Sequence, residues 1–324
     1  MTKMKNIAIL TSGGDAPGMN AAIRAVVRTG LYNGLNVFGV KRGYDGLVQN
    51  EIFAMDAKSV ANIIQRGGTV LKTARSDEFR TKEGRKKAYD NIKNLEIDGL
   101  VVIGGDGTFT GASIFSEEFN LPIIGIPGTI DNDLAGTDFT IGYDTAINTV
   151  VDAVDKIRDT AESHDRLFVV EVMGRDSGLI ALRSGISTGA EAVLIPELKV
   201  DYDSIMKRLD KTRKNKASRI IIVAEGDQEG GIVVAEKIKE NFPQYDVRVS
   251  ILGHIQRGGR PTCMDRVLAS RLGVASVEAL IEGRKQEMVG LICGQIEFTP
   301  FKKAIKHIDS VDENLTRIVE ILSL

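Results

Sequence analysis

Leu100-Val101-Val102-Ile103-Gly104-Gly105-Asp106-Gly107-Thr108 passes from a run of branched apolar residues straight into a glycine-rich loop. The run does not alternate, which suits a central parallel strand covered on both faces. Two glycines before the carboxylate and one after it let a backbone approach a ligand, and a helix follows whose N-terminus favours an anion. Backbone N–H groups there suit a polyphosphate, with Asp106 reaching a Mg²⁺ on it. The plainer alternative is a turn in which the Asp caps the helix.

The neighbouring segments repeat the pattern. Ile7-Ala8-Ile9-Leu10 leads into Thr11-Ser12-Gly13-Gly14-Asp15-Ala16-Pro17-Gly18-Met19-Asn20 and a helix from about Ala21. This loop reads equally as a phosphate cradle or as a tight turn with Asn20 as the cap. The run 123–126 leads into Pro127-Gly128-Thr129-Ile130-Asp131-Asn132-Asp133. One carboxylate there suits a general base on a hydroxyl, the other the metal and its waters; Asn-Asp clusters also make ordinary turns. Sequential strands are usually neighbours, so Asp106, Asp131 and Asp133 should gather, a repulsive group unless a cation joins them.

Further apolar runs predict strands at 37–40, 167–172, 192–195, 220–224, 247–252 and 288–292. Apolar residues at Ile147, Val150, Val151, Val154 and Ile157 form one helical stripe. Segments 57–65, 82–95, 203–214, 234–241 and 267–281 also predict helices. The alternation predicts an α/β protein of two Rossmann-like three-layer α/β/α lobes with mostly parallel sheets and the active site in the cleft between them. No linker rich in Pro, Ser or Gly separates the lobes, so the chain is expected to cross between them more than once.

The chain has 324 residues and a formal charge of −2, without the basic excess of a nucleic-acid binder. No apolar run approaches the roughly 18 residues of a membrane span, and the run Ile7-Ala8-Ile9-Leu10 is too short for a signal-peptide apolar core, with no small-residue cleavage site after it. Cys263 and Cys293 have no metal or disulfide spacing and read as packing thiols. The expectation is a cytoplasmic protein with no nucleic-acid or membrane partner. Neither Gly-x-x-x-x-Gly-Lys-Ser/Thr nor Gly-x-Gly-x-x-Gly occurs, which excludes P-loop and dinucleotide loops.

The second half supplies cations at strand ends. Arg166 opens one strand and Met173-Gly174-Arg175 closes it. Glu225-Gly226 ends another, Arg248 lies in the next, and Gly253-His254-Ile255-Gln256-Arg257-Gly258-Gly259 follows. Guanidinium forks beside glycines suit a phosphate monoester, although each Arg alone reads as a salt-bridge partner and His254 alone as a buried histidine. The chemistry indicated is phosphoryl transfer to a sugar phosphate or a similar compound.

These motifs, in this order and along essentially the whole chain, resemble the bacterial ATP-dependent 6-phosphofructokinases. The resemblance implies ATP as co-substrate, Mg²⁺ as cofactor and fructose 6-phosphate as acceptor. It makes Asp131 the general base, with Thr129 and Ile130 holding the substrate there, and Asp106 and Asp133 the metal carboxylates. Gly14, Tyr44, Arg75, Ser76 and Gly105 to Thr108, Gly107 included, match ATP contacts; Arg75 would also clamp the transferring phosphoryl group. Met173, Gly174, Arg175, Glu225, His254, Ile255, Gln256 and Arg257 match sugar-phosphate contacts. Arg166 and Arg248 match arginines lent to a neighbouring subunit of a homotetramer. Residues 1–142 plus 261–310 would form the larger, ATP-binding lobe, and 143–260 plus 311–324 the smaller, fructose 6-phosphate-binding lobe.

An effector site for ADP and phosphoenolpyruvate is implied at Arg24, Ala25, Val26, Val27, Arg28, Arg158, Gly189, Ala190, Glu191, Lys214, Lys216, Ala217 and Ser218. Arg24 and Arg28 lie four apart, on one helix face. Lys214 stands where relatives commonly have Arg, which keeps the charge but loses the fork, and Ser218 where some have His. Asp176-Ser177 also departs from the pattern: Asp176 either weakens substrate binding or pairs with Arg175. Two rivals remain. Pyrophosphate-dependent relatives generally carry Asp where this chain has Gly107 and Lys where it has Gly128. A non-catalytic sugar-phosphate-binding module would need the cations but not the three carboxylates.

Overall fold

The computed structural model describes residues 4–163, 166–198, 202–203, 205, 207, 209, 218–227, 229–305 and 313–322. The expected helix 203–214 lies mostly outside them, as do Lys214, Lys216 and Ala217. Two units are formed: 1–130, 134–144 and 257–307 in one, and 131–133, 145–256 and 308–324 in the other. The chain thus returns to each, and a three-residue excursion carries Asp131–Asp133 with the second unit.

In the first unit the apolar runs form β1 (Asn6–Thr11), β2 (Asn36–Val40), β3 (Ile52–Met55), β4 (Gly99–Gly104), β5 (Ile123–Thr129) and β6 (Ile141–Gly142). The second unit holds β7 (Leu167–Val172), β8 (Ala192–Leu194), β9 (Arg219–Ala224) and β10 (Val247–Ile251). The first unit then adds β11 (Glu287–Ile292) and β12 (Gln295–Pro300).

The larger sheet runs β12-β11-β5-β4-β1-β2-β3, with β6 paired to β5. Its centre is parallel; the hairpin β11–β12 and the pair β2–β3 make both edges antiparallel. The central strands are buried throughout, as non-alternating Val and Ile runs require. Helix Met19–Tyr32 follows β1 and helix Asp106–Phe119 follows β4, so both glycine loops open at the carboxyl ends of adjacent parallel strands. Phe109, Phe115 and Phe301 fill the core on one face. Gly125 of β5 faces the Phe109–Phe301 stack, whose ring centroids are 5.3 Å apart. The smaller sheet, β10-β7-β9-β8, is wholly parallel and packs its own core around Leu167, Val169, Ile221 and Val223.

Three expectations are corrected. Residues 57–65 form turns, not a helix. Ser59 N and Oγ both donate to Asp56 Oδ1, at 2.8 and 2.7 Å, and Asn62 sits at φ 55°, so local side-chain bonds outcompete the helical ladder. Cys263 and Cys293 are free and exposed, not packed. Asn20 is not the cap: Gly18, at φ 111°, holds that position and Asn20 lies within the helix.

A Cβ on Gly125 would lie 2.5 Å from Phe109 and 2.6 Å from Phe301. Gly125→Ala should therefore cost about 1–3 kcal/mol by overpacking, read as a lower thermal midpoint.

Candidate active site

On the first unit the ends of β1 and β4 are joined by Ser12 N donating to the Ile103 carbonyl at 2.9 Å. A Cβ on Gly104 would lie 2.3 Å from Thr108 Oγ1 and 2.5 Å from the Ser12 carbonyl, so only glycine lets the two loops meet. Gly13, Gly14 and Gly107 are exposed, and a Cβ on Gly107 would meet no atom within 4 Å. Thr108 Oγ1 is buried without a hydrogen-bond partner among the described residues. An open glycine floor, a helix N-terminus and an unsatisfied buried hydroxyl fit a polyphosphate.

Tyr44 supports this floor from beneath. Its hydroxyl donates to the Thr108 carbonyl at 2.7 Å, and its ring stacks on Phe79 at 4.2 Å. Burial pushes its phenol pKa up, so it remains a donor. Ser76 Oγ accepts from Phe79 N and caps helix Asp77–Arg80. Arg75, just before it, is exposed and forms no ion pair among the described residues.

At the end of β5, Thr129, Ile130 and Asp131 are buried and Asp133 is half-buried. Asn132, at φ 54°, turns the chain between the two carboxylates. Thr140 Oγ1 donates to the Thr129 carbonyl at 2.6 Å, and Gly142 N donates to the buried Asp265 carboxylate at 2.8 Å. These bonds hold the strand end from which Asp131 emerges. No group of three or more His, Cys, Asp or Glu side chains converges as a metal cluster among the described residues. Asp131 and Asp133 leave β5 with the excursion into the second unit, while Asp106 starts a helix of the first.

Arg257 belongs to the first unit, where its guanidinium lies over Gly14: a Cβ there would be 2.5 Å from Nη1. The acceptor-side motifs of the second unit are held by side chains that the sequence suggests as ligands. Glu225 Oε1 accepts from Gly174 N at 3.3 Å and Arg175 N at 2.8 Å. Fully buried Gln256 accepts from Met173 N at 3.2 Å through Oε1 and donates to the Gly253 carbonyl at 3.1 Å. Arg175, at φ 55°, pairs with Asp176 at 3.7 Å. His254 and Ile255 are exposed, so His254 is not a buried histidine.

Arg166 and Arg248 share one carboxylate. Arg166 Nε donates to Asp246 Oδ2 at 2.8 Å, and Arg248 Nε lies 3.0 Å from Oδ1. The hydrogen bond from Arg166, joined by that from Arg248, holds the Asp246 pKa below its ordinary value. Asp246 carries no motif signal of its own; an Asp two residues before an expected Arg is the one clue.

At the implied effector positions, Arg24 is half-buried and Arg28 exposed on helix Met19–Tyr32, between buried Ala25, Val26 and Val27. In the second unit Arg158 donates to Ser218 Oγ at 3.3 Å and to the Thr188 carbonyl. Ser218 Oγ also donates to Glu162 at 3.3 Å. Glu191 is buried and accepts from Ile220 N at 2.6 Å; Ala190 is buried beside it, and Gly189 ends helix Leu179–Thr188 at φ 62°.

The phosphofructokinase family model matches residues 6–280. The chain is 57% identical over 326 residues to ATP-dependent 6-phosphofructokinase 2 of Bacteroides thetaiotaomicron, covering 100% of both. It is 53% identical to ATP-dependent 6-phosphofructokinase 1 of Thermus thermophilus, covering 99% of this chain and 100% of that one. Among solved structures, phosphofructokinase from Saccharomyces cerevisiae matches 98% of this chain with a TM-score of 0.89 and 39% identity. This chain spans 47% of that yeast chain. A pyrophosphate-dependent phosphofructokinase from Marinobacter aquaeolei shares the fold, with a TM-score of 0.83 at 20% identity, 98% of this chain and 91% of that one being covered.

Because its folded pKa is depressed, Asp246 contributes stability above its unfolded value of about 4 and loses it as pH falls through the lower folded value. Asp246→Asn should therefore flatten the fall of thermal midpoint below about pH 4. An unchanged profile would show that the two arginines do not depend on this carboxylate.

Proposed function

We infer that this chain, which belongs to the phosphofructokinase family, phosphorylates D-fructose 6-phosphate at its 1-hydroxyl with ATP, giving fructose 1,6-bisphosphate and ADP. The reaction is the committed step of glycolysis. The observation that carries the reading is the 53–57% identity along the whole chain to relatives named as ATP-dependent 6-phosphofructokinases. The donor assignment also agrees with Gly107, whose open surroundings leave room for a nucleotide, and with Gly128, where a Cβ would lie 2.9 Å from Ile103 and 3.1 Å from Met19.

The larger unit takes ATP on Gly14, Gly105, Asp106, Gly107 and Thr108, supported by Tyr44 and Ser76. Mg²⁺ fits Asp106 and Asp133, because the ion keeps waters and phosphate oxygens and needs only one or two carboxylates from protein. Held there, the ion would supply positive charge to offset that of the phosphates. Asp131 takes the proton from the 1-hydroxyl at a carboxylate oxygen, and Thr129 and Ile130 hold that hydroxyl against it. Arg75 stabilises charge on the phosphoryl group in transit.

Fructose 6-phosphate is taken by Arg257, the Met173–Gly174–Arg175 turn, His254 and Ile255. Glu225 and Gln256 act largely by fixing that turn, since their carboxylate and amide oxygens are engaged by its backbone. Arg166 and Arg248 complete a neighbouring site in a homotetramer. ADP and phosphoenolpyruvate act at Arg24, Arg28, Arg158 and the 189–191 turn; Lys214 and Ser218 are the residues expected to tune that response. The work is cytoplasmic, where phosphate esters are retained.

Initial rates with each donor test the reading: ATP with Mg²⁺ should support turnover, whereas pyrophosphate or chelation of the metal should abolish it. Turnover with pyrophosphate but not ATP would overturn it. Asp131→Asn should lower kcat by about 10²–10⁴-fold while fructose 6-phosphate binding survives. Unchanged turnover would remove Asp131 from the role of base, and binding without any turnover in the unmodified protein would favour a binding module.

A further inference from the structure

Asn20 is buried in the first helix of the larger unit, and its amide is devoted to one distant segment. Nδ2 donates to the carbonyls of Arg66 at 3.0 Å and Gly67 at 3.2 Å, while Oδ1 accepts from Val70 N at 2.8 Å. Thr11, the last residue of β1, adds two bonds: its hydroxyl lies 3.0 Å from Thr69 Oγ1 and donates to the Lys72 carbonyl at 3.0 Å. Residues 66–72 form neither helix nor strand, so these side chains replace the backbone pairing that would otherwise fix the segment. On its other side the segment abuts the turn after Arg257. A Cβ on Gly67 would lie 2.2 Å from the Gly259 carbonyl oxygen. Three residues after Lys72 stands Arg75, exposed and without an ion pair among the described residues.

We propose that Asn20 is a positioning residue for phosphoryl transfer: by clamping the 66–70 backbone it sets where Arg75 meets the transferring group. The proposal rests on the functional reading above. A long side chain on a segment without regular structure delivers its guanidinium reproducibly only if the backbone beneath it is fixed, and a misplacement of about 1 Å is enough to cost about 10²-fold in rate. Asn suits the task because one planar amide donates twice and accepts once. Its carboxylate analogue would face two carbonyl oxygens with no proton to give.

The test is a double-mutant cycle with Asn20→Ala and Arg75→Ala, kcat and KM being measured for each donor and acceptor. Asn20→Ala should lower kcat about 10–100-fold, with KM for fructose 6-phosphate changed less than about threefold. The double variant should turn over within about twofold of Arg75→Ala, because the second change removes what the first acts through. Losses that multiply, an Asn20→Ala kcat equal to that of the unmodified protein, or an Arg75→Ala without effect would each overturn the proposal. Should Asn20→Ala fail to fold, Asn20→Ser, whose short hydroxyl keeps a polar group but cannot reach both carbonyls and the Val70 amide at once, enters the same cycle. Hydrogen exchange gives a readout independent of turnover: amides 66–72 should exchange faster in the Asn20 variant while those of helix Lys82–Asn94 do not. Unchanged exchange at 66–72 would overturn the proposal, whereas absent ATP turnover in the unmodified protein would strike the functional reading alone.

Discussion

The larger unit depends on how closely the ends of β1 and β4 approach. Parallel pairing brings Thr11 opposite Ile103, and the Ser12 amide extends the ladder one bond into the loop. Gly104 has no side chain to hold the loops apart, so the Ser12 carbonyl and Thr108 hydroxyl close over its Cα. The helix Asp106–Phe119 starts directly beyond this approach, and its N-terminal amides favour an anion there. The sheet order, the small residues and the Tyr44 prop all serve this one approach.

Around that platform, polar side chains are used chiefly on backbone. Asn20, Glu225, Gln256, Glu191 and Asp265 each accept from a main-chain N–H of a loop or strand distant in sequence. A buried carboxylate or amide is costly unless satisfied, and a satisfied one holds its partner in a single arrangement. The loops therefore gain definition without regular secondary structure. Other carboxylates hold arginines directly instead: Asp246 holds Arg166 and Arg248 at the exposed edge strand β10, and Asp176 pairs with Arg175.

Much of the fold was legible because its signals are local. A non-alternating Val/Ile run followed by Gly-Gly-Asp-Gly-Thr reports strand, loop and helix within ten residues, as at β4; β1 is a looser case, with its helix starting at Met19. The segment 57–65 misled because its apolar spacing is helical while Asp56 and Ser59 bond to each other. Cys263 and Cys293 misled because a thiol's usual burial says nothing about one particular helix start or hairpin turn. The candidate ligands were readable as residue types, but their partners were not. Asn20 meets a backbone about fifty residues away, and Arg257 lies over Gly14 across 243 positions of chain. Local propensity carries no information about such pairings.

Gly128 gives the molecule a kind of inertia. It is buried in β5, with Ile103 and Met19 already at the place where a side chain would begin. A Cβ here would lie 2.9 Å from Ile103 Cγ2 and 3.1 Å from Met19 Cε, so any side chain at this point requires both neighbours to shift. A larger residue at 128 would therefore have to arrive together with a rearrangement of Ile103 and Met19, so this position answers to the packing of the core as well as to the site.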